Sequence, residues 1–144
     1  MPIVTRNFPK LTVEGARAVL DAARKRAEEI KIPMDIAVVD EGGHLLVFER
    51  MDGARPASIG ISLVKAQAAA LRRVPTGPAK TGDDVNLPLS LGLAIAKPAE
   101  QSPIRGGFPL VVDGQVVGAV GVSAGTEDQD SDVARAGAAA VEKA

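Results

Sequence analysis

Between Gly107 and Ser123 the chain has no polar face. Gly107–Asp113 and Gln115–Ser123 read as two strands joined by Asp113-Gly114, a dipeptide suited to a two-residue hairpin turn. In the second strand Val117 and Ala119 fall on one side, and Val116, Val120 and Val122 on the other. A sheet wetted on one face would alternate apolar with polar side chains, so this pair needs helices on both faces. Gly118 and Gly121 fall on opposite faces and allow backbone to approach closely there.

The rest of the chain supplies the cover. Across 13–31, Val13, Ala16, Leu20, Ala23, Ala27 and Ile30 recur at spacings of three and four, which predicts an amphipathic helix with Thr12 as its N-cap. Asp35–Asp40 and His44–Arg50 form a second hairpin around Glu41-Gly42-Gly43. Strict alternation puts His44, Leu46, Phe48 and Arg50 on one face of its second strand, and Leu45, Val47 and Glu49 on the other. Residues 58–74 are apolar nearly all round, interrupted by Ser62, Lys65 and Gln67, which suits a helix buried against the sheet or a neighbouring subunit. A loop over 75–84 leads to a short helix, 87–96, capped by Asn86, and a second loop covers 98–105. Thr126 and Gln129 form a capping box for a last helix over 127–143. The order is helix, hairpin, two helices, hairpin, helix, within one domain spanning 1–144. It predicts an α+β fold in three layers around a mainly antiparallel sheet.

Composition removes whole classes of chemistry. With no Cys there is no disulfide, Cys-ligated zinc or iron–sulfur cluster, and a single His cannot build a multi-His metal site within one subunit. A formal charge of −1, no Trp and no Tyr leave nothing to track a phosphate backbone or stack on bases, so no nucleic acid partner is expected. The uncharged runs 85–96 and 114–126 fall short of the roughly 18–20 apolar residues that span a bilayer, so no membrane partner is expected. The opening MPIVTRNFPKL lacks a basic-then-apolar leader pattern, which predicts a cytoplasmic protein.

The residues left with chemical potential are few. His44, where the first hairpin turn enters its strand, is the sole imidazole for a proton or a metal. Met34 and Met51 read as core or interface filler, or as further ligands if iron is bound. Lys65 sits among apolar neighbours and needs an anion, either an acidic residue such as Asp52 or Asp40 or a bound ligand. Arg50 and Arg55 flank the start of the 58–74 helix, and Arg105 precedes Gly106-Gly107. With Gly125, these glycines place bare backbone near the start of the last helix, suited either to an anion or to tight packing. Glu127, Asp128 and Asp130 neutralise that helix's dipole.

The runs IAVVDEGGHLLVFERMDGARPASIGISLVKAQAA and IRGGFPLVVDGQVVGAVGVSAGTEDQD resemble the GlcG/HbpS-type proteins, often labelled haem-degrading domains, over nearly the whole chain. The resemblance implies a profilin-like α/β/α sandwich with about five antiparallel strands, assembled as a homo-oligomer, dimer or octamer. The residues themselves predict four strands. The fifth would lie around Ile95–Arg105 or come from a split of one of the four. Some members of this family bind haem or iron, one group is fused to cobalamin enzymes, one gene lies beside glycolate oxidation genes, and many have no established activity. The resemblance therefore implies haem or a related tetrapyrrole, with Arg50, Lys65, Arg105, Gly106, Gly107 and Gly125 around the ligand and His44 on the iron. The alternative is a small cofactor-independent enzyme for an anionic organic acid, with an Arg or Lys on the carboxylate and His44, Asp40, Asp52 or Glu49 moving a proton. No Ser-His-Asp order, HExxH, P-loop or dinucleotide fingerprint names a reaction.

Overall fold

A computed structural model describes residues 1–143. The elements are α1 (Val13–Glu29), β1 (Asp35–Asp40), β2 (Leu45–Arg50), α2 (Ser58–Arg72), β3 (Lys80–Thr81), β4 (Asp84–Val85), α3 (Leu87–Ala96), β5 (Gly107–Val112), β6 (Gln115–Ser123) and α4 (Glu127–Ala138), which runs into a 3-10 turn at Ala139–Val141. The main sheet has strand order β2-β1-β6-β5 and is antiparallel throughout, so the fold is the expected α+β type. Its strands number four. The remaining two, β3 and β4, form a separate short ribbon inside the segment expected to be a loop, while 97–106 holds no strand.

Two cores of different character lie on the two faces. On one, Ile36, Val38, Leu110, Val120 and Val122 pack against Val19, Leu20, Ala23 and Val133 of α1 and α4. On the other, Ala37, Val39 and Ala119 meet Ala66, Ala69 and Ala70 of α2. The small residues on the α2 side have a cause. Gly107 and Gly121 are directly paired across β5 and β6. A Cβ on Gly121 would fall on the Ser62 carbonyl and the Ala66 nitrogen, and one on Gly107 on the Lys65 carbonyl. The α2 backbone therefore lies against bare sheet, closer than any larger side chain would permit.

Strict alternation fails once in each hairpin, close to the turn. Val38 pairs with Val47 but Val39 with Leu45, which leaves Leu46 as an extra residue. Likewise Leu110 pairs with Gly118 and Val111 with Val116, which leaves Val117 over. Each is a bulge that turns its residue to the neighbouring face. Leu46 therefore joins Val47 in the α1/α4 core rather than sharing a face with Phe48, and Val117 joins Val120 and Val122 rather than Ala119.

Turn and cap chemistry otherwise follows the residues. Asp113 and Gly114 both have positive φ, 50° and 76°, as a type I′ turn requires. Thr12 caps α1 through the Gly15 N–H, Asn86 caps α3 through the Leu89 N–H, and Thr126 and Gln129 complete their reciprocal box. Three helices stop short of expectation: α1 ends at Glu29, α2 ends where Arg73 takes a left-handed φ of 61°, and α4 tightens into its 3-10 turn after Ala138. Among the described residues no helix is long and apolar enough to cross a membrane.

Candidate functional site

Lys65 points from α2 past the end of the sheet toward α4. Its Nζ donates to Asp130 Oδ2 and to the Val122 carbonyl, both at 2.8 Å, and the residue is 1% exposed. Asp130 Oδ1 accepts the Gly125 N–H at 2.9 Å. The anion that Lys65 requires is thus Asp130, not Asp52 or Asp40. Asp40 is used in its own turn, where Oδ1 accepts the Gly42 and His44 N–H groups at 2.9 Å. Gly106 lies beside this pair with φ 125°, and a Cβ there would stand 2.9 Å from Lys65 Nζ and 2.8 Å from the Val122 carbonyl. Arg105 donates to Asp128 Oδ1 at 2.8 Å while its backbone N–H donates to Glu127 Oε1 at 2.9 Å. The hydrogen bond to Asp128 raises the guanidinium's pKa further. The acidic first turn of α4 therefore holds three donors from elsewhere in the chain as well as facing the helix dipole.

Lys65, Arg105, Gly106, Gly107 and Gly125 thus gather at one end of the sheet. Arg50 lies at the same end but on the outer strand β2, exposed, opposite Asp35. His44 is exposed at the opposite end of β2, six residues away, roughly 20 Å along a strand. Met34 is fully buried in the larger core and Met51 is packed against it. Among the described residues no three His, Asp or Glu side chains group as a metal site.

Asp35 lies on the α2 face at the start of β1, fully buried, and neither of its carboxylate oxygens has a partner. Burial pushes its carboxyl pKa above the ordinary 3.8, opposed by the charges of Arg50 and Arg55. The folded protein therefore holds this proton more tightly than the unfolded chain. Stability falls as pH rises from about 3.8 toward the folded value, and stays lower above it. Asp35→Val, which suits a buried strand, is expected to stabilise the protein at pH 7 by about 1–3 kcal/mol, the cost of an unpaired buried polar group. Thermal melts should show the gain shrinking as pH is lowered toward 4.

Two openings near the gathered residues lie between α2 and the segment 75–105. An apolar groove of about 310 Å³ is walled by Ile61 and Val64 of α2, Ala94 of α3, and Pro98, Pro103 and Ile104. A smaller pocket of about 150 Å³ lies between Ala68 and Arg72 of α2 and the turn Thr76–Ala79. Gln101 and Ser102 line both. The segment is held by the Gly77 N–H on the Ser102 carbonyl at 3.1 Å and the Ala79 N–H on Ser90 Oγ at 2.8 Å. Ser90 is the buried residue of α3, whose Leu87, Leu91 and Ile95 stay exposed, Ile95 by 78%. Sequence reasoning passed over Gln101, Arg72 and Thr76. They sit in or beside stretches with no periodicity, and nothing local marks them as a shared wall.

The HbpS-like family model, described as haem degrading protein, matches residues 11–139. The chain belongs to this family. Protein GlcG of Escherichia coli K12 is 40% identical over 113 residues, covering 78% of this chain and 81% of its own. The ORFY protein of Klebsiella pneumoniae superposes with a TM-score of 0.86 at 31% identity, over 98% of this chain and 97% of the other. A PduOC:haem complex superposes with a TM-score of 0.80 at 26% identity, over 92% and 96%. Within this HbpS-like chain the Lys65–Asp130 pair and the groove beside α3 are the features that combine charge, burial and open volume.

Proposed function

We propose that the protein binds haem or a related tetrapyrrole, with the macrocycle lying in the groove between α2 and α3 and a second copy of the chain closing over it. The observation that carries this reading is the groove itself: apolar walls continuing into the exposed Leu87, Leu91 and Ile95, with Arg105 next to Ile104 at the rim. Its volume of about 310 Å³ is at the lower end of sites that enclose small ligands, about 300–1,000 Å³, so one chain supplies part of the enclosure. The apolar surface around it favours the homo-oligomer that completes it. The exposed guanidinium of Arg105 meets a propionate in place of, or beside, Asp128. Lys65 acts from below by holding the rim in place, since its own charge is met by Asp130.

The groove's apolar walls suit one part of a macrocycle and supply nothing for the iron. The groove's lining contains no imidazole, thioether, thiolate or phenolate. His44 is the sole imidazole and would reach the iron from the neighbouring copy. Titration of the purified protein with hemin should give a saturable Soret shift, with Ile61→Asp weakening binding about tenfold or more by placing a charge in the wall. His44→Ala should alter the Soret position while keeping the stoichiometry. No saturable shift in the wild-type protein would rule the reading out.

A further inference from the structure

The two edges of the main sheet are not equivalent. At β5 the outer edge is closed: the Gly107 N–H donates to Thr76 Oγ1 at 2.9 Å, the Gly107 carbonyl accepts the Thr76 N–H at 3.0 Å, and Pro109, the next residue to face outward, has no N–H to offer. β2 has none of these guards. The strand contains no Pro, Gly or Lys and, among the described residues, pairs with β1 alone. Met51 donates its N–H to the Met34 carbonyl at 3.0 Å, so by alternation Glu49 and Val47 also face β1, whereas Arg50 and Phe48 turn their N–H and C=O groups away from it. The flanks are open as well. α2 packs over β1, β5 and β6 rather than β2, which leaves Phe48 half-buried at the rim of the alanine core. On the other face a crevice of about 400 Å³ is lined by α1 and β2 alone, with Leu20 and Val47 in its wall.

We infer that the β2 edge binds a second copy of this chain, the two β2 strands pairing antiparallel about a two-fold axis at Phe48, so that one sheet runs through both copies. Charge fixes the register. With Phe48 opposite Phe48 of the second copy, Glu49 lies against Val47 and Arg50 against Leu46, and no like charges meet. Sliding by two residues to set Phe48 against Arg50 brings the two Glu49 side chains together. Sliding the other way loses the aromatic pair and sets Arg50 against His44. In the favoured register the two Phe48 rings meet across the axis on the face that α2 leaves bare, and the crevice beside α1 is closed by the other copy's edge. This surface uses neither α3 nor the outer side of α2, so it is separate from the tetrapyrrole groove and its test uses no haem.

Light scattering of the haem-free, full-length protein at micromolar concentration should give an even number of copies per particle. Arg50→Pro removes one outward N–H from each strand and leaves the ladder to β1 intact. It should weaken the pairing about 100-fold, since each lost donor counts twice across the axis, and so halve the particle mass while the far-UV spectrum stays that of the wild type. The register is read by cross-linking, which the absence of native Cys makes clean. Oxidised Phe48→Cys should trap a covalent dimer, whereas Leu45→Cys, exposed and roughly 20 Å from its own copy in this register, should not. A monomeric wild type would overturn the inference. So would a folded Arg50→Pro variant of unchanged mass, which would place any assembly on another surface, or Leu45→Cys linking as readily as Phe48→Cys.

Discussion

Lys65→Met is expected to destabilise the protein by about 3–5 kcal/mol, because it removes one partner of a buried ion pair and leaves the other charge behind. Asp130 is 3% exposed, and among the described residues Lys65 Nζ is its one cationic partner. At this chain length the loss corresponds to roughly 10–17 °C in Tm. The Val122 carbonyl would lose its side-chain donor as well, although it keeps its place in the sheet. The double variant Lys65→Met/Asp130→Asn should recover most of the loss. It removes both charges together, and the asparagine oxygen still accepts the Gly125 N–H. Urea or thermal unfolding of the two singles and the double measures this coupling directly. A Lys65→Met variant within about 1 kcal/mol of wild type would show that Asp130 finds another partner or a proton.

Gly121→Ala is the second large loss expected, and its cause is purely steric. The added methyl would meet the Ser62 carbonyl and the Ala66 nitrogen, both backbone atoms of α2, which cannot yield as the tip of a flexible side chain can. Overpacking of this kind costs about 1–3 kcal/mol or more, as the helix must lift off the sheet and release Ala66, Ala69 and Ala70 from their contacts. Gly92→Ala is the matching control. It lies within α3 with nothing within 4 Å of the added Cβ, and should stabilise by about 0.4–1 kcal/mol through chain entropy. The two substitutions add the same atom, so opposite signs in unfolding experiments isolate the close approach of α2.

Much of the fold was legible because it rests on local rules. The 3.6-residue spacing from Val13 to Ile30, the Asp113-Gly114 turn, the Asn86 cap and the Thr126–Gln129 box each act within a few residues, and each occurs where the residues place it. The two-sided apolar character of β6 called for helices on both faces, and α2 lies on one with α1 and α4 on the other. The bulges at Leu46 and Val117 were not legible, because alternation assumes a register that only the partner strand sets. The ribbon at Lys80–Val85 was hidden for a similar reason, since two residues per strand carry no periodicity.

The site divides along the same line. That Lys65 needs an anion follows from its apolar neighbours and the cost of burying charge. That the anion is Asp130 depends on the Lys65 side chain reaching from α2 past the end of the sheet to the start of α4, 65 positions along the chain. The orphaned carboxylate of Asp35 and the orphaned amide of Gln101 belong to the same category, because a polar side chain shows no deficit until its surroundings have closed over it. Period, caps and turns are properties of neighbours along the chain and could be read there. Burial, register and the pairing of distant charges exist only once separate segments share space, so the tertiary structure alone decided them.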